Sequence, residues 1–204
     1  MMKVKYCGLQ KCNDVTYAAK LGCDAVGFVM VPGSRREVTM QQAQILTEHT
    51  RQFDMVSVIL LANATATRVS DVIRYCQPDI VQFHGQESPE FCQKFSYPYW
   101  KAVPMLTVND WRHYIEAYEA AEHFVLDTYG GSHSGGSGQS FQWFKMPLES
   151  RNRLILAGGL NLQNVTRAVA ETGAEFIDVS SGIEETAGVK SHTLMKQFMQ
   201  TIKS

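Results

Sequence analysis

From residue 3 onward the chain alternates two patterns: short, nearly unbroken apolar runs, and longer stretches whose apolar residues recur every three or four positions. The short runs read as strands at Lys3–Leu9, Ala25–Val31, Met55–Ala62, Ile80–His84, Tyr99–Pro104, Phe124–Thr128, Arg153–Ala157 and Phe176–Ser180. Continuous apolarity, as in Val56-Ser57-Val58-Ile59-Leu60-Leu61, is the mark of parallel strands covered by helices rather than of a sheet with one wet face. Helical periodicity fills the intervals. Asn13 is placed to cap a first helix that ends at Leu21-Gly22, and Thr39 to cap a second. Ala66–Cys76 forms a third, and Ser88-Pro89 starts a fourth with proline in the first turn. Asn109–Ala120, Asn161–Thr172 and His192–Lys203 complete the set, with Asn161 and Gly173 as start and stop signals.

Eight strands alternating with helices leave an open doubly wound sheet or a closed barrel. A dinucleotide-binding open sheet wants G-x-G-x-x-G after its first strand, and the turn here reads Cys7-Gly8-Leu9-Gln10-Lys11-Cys12. The count of eight therefore predicts a compact α/β fold, a (β/α)8 TIM barrel in one domain spanning residues 1–204. One unit departs from the pattern. After strand six a Gly/Ser-rich loop, 129–140, is followed only by a reduced helix around Trp143–Leu148.

Composition narrows the classes. Nineteen basic against twenty acidic residues give a net charge of −1, with no long basic run, which argues against nucleic acid. No apolar segment suits a signal peptide or a membrane span, and five scattered cysteines without a C-x-x-C pair fit neither a disulfide framework nor a zinc site. A cytoplasmic location is expected, with neither metal nor cofactor; the oligomeric state is not set by the sequence.

In such a barrel the chemistry gathers at the C-terminal ends of the strands. There the sequence places Cys7, Arg36, Gln82, His84, Asp127, Gly158-Gly159 and Ser180-Ser181-Gly182. The glycine turns after strands seven and eight occupy the usual phosphate position, where bare backbone N–H groups can approach an anion. Asp127 ends an apolar strand and is either a turn cap or an acid; Cys7 is either an inert buried thiol or a base. His84 is either structural or a pocket wall.

Seven segments in order resemble phosphoribosylanthranilate isomerase of tryptophan biosynthesis. They are Lys5-Tyr6-Cys7-Gly8-Leu9; Gly27-Phe28-Val29 with Pro32, Ser34 and Arg36; and Val81-Gln82-Phe83-His84-Gly85 with Glu87 and Pro89. Leu126-Asp127-Thr128 and Gly135-Gly136-Ser137-Gly138 before Phe141 and Trp143 follow. Ala157-Gly158-Gly159-Leu160-Asn161 with Asn164, and Asp178-Val179-Ser180-Ser181-Gly182-Ile183-Glu184, close the series. The resemblance implies an Amadori rearrangement of N-(5-phosphoribosyl)anthranilate, a small-molecule substrate, without cofactor. It implies Cys7 as general base, Asp127 as general acid, Arg36 on the anthranilate, and the glycine and serine loops on the phosphate. Acid and base roles at neutral pH would require the environments to bring the two pKa values together. Glu37 stands where the family usually has an apolar residue and is expected to compete for Arg36; Val31 stands where an aromatic is common. Two rival barrels fit less well: a histidine-pathway isomerase would carry aspartate at position 7, and a metal-dependent epimerase would need His and Asp ligands on several strands. A catalytically idle anion-binding barrel remains the rival outside enzymes.

Overall fold

The computed structural model describes residues 2–128, 146–147 and 150–203. Eight parallel strands close on themselves in sequence order: β1 (Lys3–Cys7), β2 (Ala25–Val29), β3 (Val56–Leu61), β4 (Ile80–Phe83), β5 (Tyr99–Pro104), β6 (His123–Asp127), β7 (Leu154–Leu156) and β8 (Phe176–Val179). Closure comes from β1 pairing with β8 at Lys3↔Phe176 through Tyr6↔Val179. Every expected strand is present, shortened at its C-terminal end in most cases because those residues turn into the loops. The Gly135–Gly138 loop and most of the reduced helix expected near Trp143–Leu148 lie outside the described residues.

Alternation along each strand assigns its two faces. Val4 and Tyr6 point outward to the helices, with the Tyr6 hydroxyl donating to the Met195 carbonyl at 2.7 Å. Lys5 and Cys7 therefore point inward. Inside the barrel an apolar cluster of Ala25, Val58, Ile80, Trp100, Ala102, Val125, Ile155, Ala157 and Phe176 fills the lower and middle levels. Cys7, Val29 and Leu60 form a separate small cluster above.

Helices α1 (Cys12–Lys20), α2 (Met40–Thr50), α3 (Ala66–Cys76), α4 (Pro89–Gln93), α5 (Trp111–Glu116), α6 (Val165–Thr172) and α7 (His192–Lys203) cover the outside. Thr39 caps α2 in a full capping box with Gln42, an arrangement worth about 1 kcal/mol. Ser88 caps α4 ahead of Pro89, as the sequence signals. Two start signals were misplaced. α1 is preceded by Lys11 without a side-chain cap, so Asn13 lies inside the helix. α6 starts after Asn164, because the Asn161 side-chain Oδ1 accepts the Gln163 N–H in a tight turn of its own. Gly173 does stop α6 in the left-handed conformation, at φ 68°. The small hairpin β9 (Glu184–Thr186) and β10 (Val189–Lys190) that follows β8 was not foreseen from the residue pattern. No helix among the described residues is long and apolar enough to cross a membrane.

Candidate active site

The upper mouth of the barrel carries three linked groups of charged side chains. The first belongs to β1 and β8. Lys5 is fully buried, and its Nζ meets Asp178 Oδ2 at 2.8 Å and acts electrostatically on Cys7 two residues along the strand. Burial alone would discharge the ammonium, but the Asp178 and Cys7 charges outweigh it and hold Lys5 protonated above its ordinary range. Asp178 Oδ1 is buried without a hydrogen-bond partner among the described residues. Room for this group comes from Gly27 on β2, paired with Cys7 across the sheet. A Cβ at residue 27 would lie 2.9 Å from the Cys7 sulfur and 3.2 Å from Lys5 Nζ, so any side chain there has to push these two groups aside.

The second group joins the loop after β2 to the β9–β10 hairpin. Glu184 takes Arg36 in a two-pronged pair, Nε to Oε1 and Nη2 to Oε2, both at 2.7 Å. Lys190 Nζ adds to the same carboxylate at 2.6 Å and to the Ser180 carbonyl at 2.9 Å. Arg36 and Lys190 both act electrostatically on Cys7. The expected competitor, Glu37, is not the partner: its carboxylate accepts the Gly33 N–H at 2.9 Å, because the tight turn 33–37 brings that amide to it first. Gly8, at φ 78°, lets the turn after β1 lie against the Arg36 side chain, whose Cδ would be 2.5 Å from any Cβ there.

The third group belongs to β4 and β6. His84 Nε2 lies 3.1 Å from Asp127 Oδ2, and the Thr128 N–H donates to Oδ1 at 2.6 Å. Gln82 presents its amide nitrogen to His84 Nδ1 at 2.8 Å. The ring is thus held at both nitrogens, Nδ1 by the Gln82 amide and Nε2 by the carboxylate. Gln82 is completely buried, with its side chain against the imidazole. The His84 loop is itself fastened by Lys101, a buried cation in β5, which donates to the Gly85 carbonyl at 2.7 Å and meets Glu87 at 3.3 Å.

Burial would push the Asp127 carboxyl up, but the His84 hydrogen bond and charge, together with the Thr128 N–H, hold it below its ordinary 3.8. Burial pushes the Cys7 thiol above its ordinary 9.0, with Lys5 and Lys190 opposing it and Asp178 adding to it. The sequence led us to expect the reverse pair of shifts. These directions leave the proton on sulfur and Asp127 a carboxylate near neutral pH.

The structure thus brings Cys7, Arg36, His84 and Asp127 to one mouth; β1 and β6 stand apart by β7 and β8, and Lys5 acts electrostatically on both Cys7 and Asp127. The glycine loops sit beside them. Gly158 and Gly159 have φ of 80° and 67°, and a Cβ on Gly182 would strike the Leu160 carbonyl at 2.0 Å, so the loops after β7 and β8 pack backbone to backbone. Ser181 and Gly182 form a short 3-10 turn, Ser181–Ile183. The Ser180 hydroxyl is spent inward, donating to the Cys7 carbonyl at 3.0 Å. Sequence reasoning missed Asp178, Glu184 and Lys190 as site residues. The first had a readable signal, a carboxylate inside the apolar strand Phe176-Ile177-Asp178-Val179. Among the described residues no three His, Cys, Asp or Glu side chains gather in a way that could hold a metal ion.

Comparison with known proteins places this chain among close relatives. The family profile for N-(5'phosphoribosyl)anthranilate (PRA) isomerase matches residues 4–201. The N-(5'-phosphoribosyl)anthranilate isomerase of Nitrosococcus oceani is 37% identical over 202 residues, covering 99% of this chain and 98% of the relative. The crystal structure of phosphoribosyl anthranilate isomerase from Thermotoga maritima superposes with a TM-score of 0.84 at 34% identity, covering 100% and 99%. A phosphoribosyl anthranilate isomerase solved in complex with reduced 1-(o-carboxyphenylamino)-1-deoxyribulose 5-phosphate gives 0.79 at 31% identity, with coverage of 100% and 99%.

Proposed function

This chain belongs to the N-(5'-phosphoribosyl)anthranilate isomerase family, and on that premise we propose how its mouth carries out the reaction. The reaction is the Amadori rearrangement of N-(5-phosphoribosyl)anthranilate to 1-(2-carboxyphenylamino)-1-deoxyribulose 5-phosphate, an aldose–ketose isomerisation. The observation that carries the reading is a thiol and a carboxyl, Cys7 and Asp127, at the mouth of one barrel and both within the field of Lys5 and Arg36.

Opening the furanose needs a proton on the ring oxygen, supplied by Asp127 as the C1' iminium forms. The iminium acidifies the C2' hydrogen, which the Cys7 thiolate removes. The resulting enolamine then tautomerises to the ketone. Arg36, gripped at Nε and Nη2 by Glu184, turns its remaining edge to the anthranilate carboxylate. Backbone groups of Gly158, Gly159, Ser181 and Gly182 receive the phosphate, and Asp178 Oδ1 accepts a ribose hydroxyl. His84, backed by Gln82, orients the Asp127 carboxyl. All five cysteines are free thiols, which suits a reducing cytoplasm.

The resting protonation state has a kinetic consequence. The reacting form differs from it by one proton moved from sulfur to carboxylate, so both forms carry the same net charge. pH does not change their ratio. The pH profile of kcat/KM is therefore a broad plateau, with an acid limb set by Asp127 below 3.8 and an alkaline limb set by Cys7 above 9.0. The direct test is to give the purified protein fresh N-(5-phosphoribosyl)anthranilate with neither metal nor nicotinamide added. The substrate fluorescence decays in an enzyme-dependent manner; persistent fluorescence rejects the function.

A further inference from the structure

A thiolate at residue 7 would be a buried anion, and a buried anion persists only with a cation in contact. Three cations act on Cys7: Lys5 from its own strand, Lys190 from β10 and Arg36 from the loop after β2. The carboxylates facing the same region are Asp178 on β8, Glu184 on the hairpin and Asp127 on β6. Arg36 and Lys190 are both bound to the one Glu184 carboxylate, at 2.7 and 2.6 Å. Lys5 differs from them in three respects. It sits two residues below Cys7 on the same inward face, its ammonium lines the same hollow over Gly27 as the sulfur, and Asp178 tethers it at 2.8 Å with no exposure to solvent.

Gly27 explains how the pair fits. The position of its missing Cβ is 2.9 Å from the sulfur, 3.1 Å from Lys5 Cε and 3.2 Å from Lys5 Nζ. Sulfur and ammonium thus share one hollow, bounded by the bare backbone of β2. We propose that Lys5 is a positioning residue for the isomerisation: from the Gly27 hollow it fixes the Cys7 sulfur and balances the charge that the sulfur carries while its proton is away. Asp178 keeps the ammonium in place at 2.8 Å, and although its own charge pushes the Cys7 thiol up, the opposing effect of Lys5 is the larger. This inference rests on Cys7 acting as the base.

The test uses the full chain with Lys5→Met, reading the Cys7 titration by ultraviolet thiolate absorbance, with Cys7→Ser subtracted to remove Cys12, Cys23, Cys76 and Cys92. The expected result is a titration moved up by about one pH unit or more, with kcat/KM on the plateau lower by about tenfold for each unit by which the thiol moves beyond Asp127, which Lys5 also influences. KM changes little, and the alkaline limb of the profile moves up with the thiol. A merely structural lesion lowers the plateau and leaves that limb where it was. An unmoved titration in folded Lys5→Met overturns the proposal, and so does a moved titration with kcat/KM intact. Should Lys5→Met fail to fold, Gly27→Ala carries the same test without changing any charge: its methyl separates sulfur from ammonium and raises the titration, and an unmoved titration overturns the proposal. Full turnover by Cys7→Ser would instead break the base assignment, an outcome distinct from either result at Lys5.

Discussion

The lower and upper ends of the barrel interior are made by the same strands and treat polarity in opposite ways. On β6 the inward positions are His123, Val125 and Asp127; on β8 they begin with Phe176 and Asp178. At the lower end His123 packs between Trp100 and Phe176, with ring centroids 5.1 and 5.7 Å away, and its Nδ1 has no hydrogen-bond partner among the described residues. Burial pushes its imidazole down to about 4, with Lys3 and Arg153 adding repulsion, so the ring is packed as a neutral aromatic. At the upper end Lys5, Asp178, Glu184 and Lys190 stay charged though buried or nearly so, each against an opposite charge within 2.8 Å.

The difference lies in the counter-charges that the upper end receives, from strand to strand at Lys5–Asp178 and from loops elsewhere. Charges are kept inside only where another element delivers a fixed counter-charge, because a buried ion without a partner costs several kcal/mol. The C-terminal ends receive such partners from the β2 loop and the β9–β10 hairpin, while the lower end is closed by apolar side chains. Chemistry that needs a poised thiol and a poised carboxyl can therefore live only at the top.

The largest effect that can break this contrast is at the catalytic pair. Cys7→Ser and Asp127→Asn each lower kcat by roughly 10²- to 10⁴-fold while the thermal unfolding midpoint stays near that of the parent. Near-normal turnover in either variant, measured by the fluorescence decay, removes that residue from the mechanism. A middle effect is expected at Glu184→Gln, which loosens the grip on Arg36. KM rises by about tenfold and kcat changes by less, since roughly 1.4 kcal/mol of orientation is lost from a group that binds the substrate. An unchanged KM would mean that Arg36 needs no clamp.

The smallest effect sharpens the lower end. His123 has its folded pKa depressed to about 4 from 6.5, so the neutral ring contributes stability that is fully present above pH 6.5. That contribution drains away as pH falls through 6.5 toward 4, because the unfolded chain takes up the proton first. Denaturant melts across this window should show the midpoint falling with pH, and His123→Gln should flatten the slope. An equal slope in the variant would assign the acid sensitivity to other groups.

How much of this was written in the residues varies from one group to the next. The eight strands were legible because most are short, largely apolar runs bounded by turns, and Thr39, Ser88 and Gly173 marked helix ends correctly. Cys7, Asp127, Arg36 and His84 were legible as strand-end or loop residues of a barrel. Glu184 and Lys190 were not, because they act from a hairpin whose two short strands carry no apolar alternation. Glu37 was misjudged for a related reason: adjacency in sequence suggested a contact that the 33–37 turn directs elsewhere.

Period, alternation and strand count determined the architecture, since a strand buried on both sides can be satisfied only by a closed layer of helices around a closed sheet. They also determined which end would hold the chemistry. Protonation was left to the tertiary structure, because a thiol or a carboxyl takes its charge from groups that arrive from distant parts of the chain. Lys5 and Asp178 are 173 positions apart and meet at 2.8 Å; Arg36 and Glu184 are 148 apart and meet at 2.7 Å.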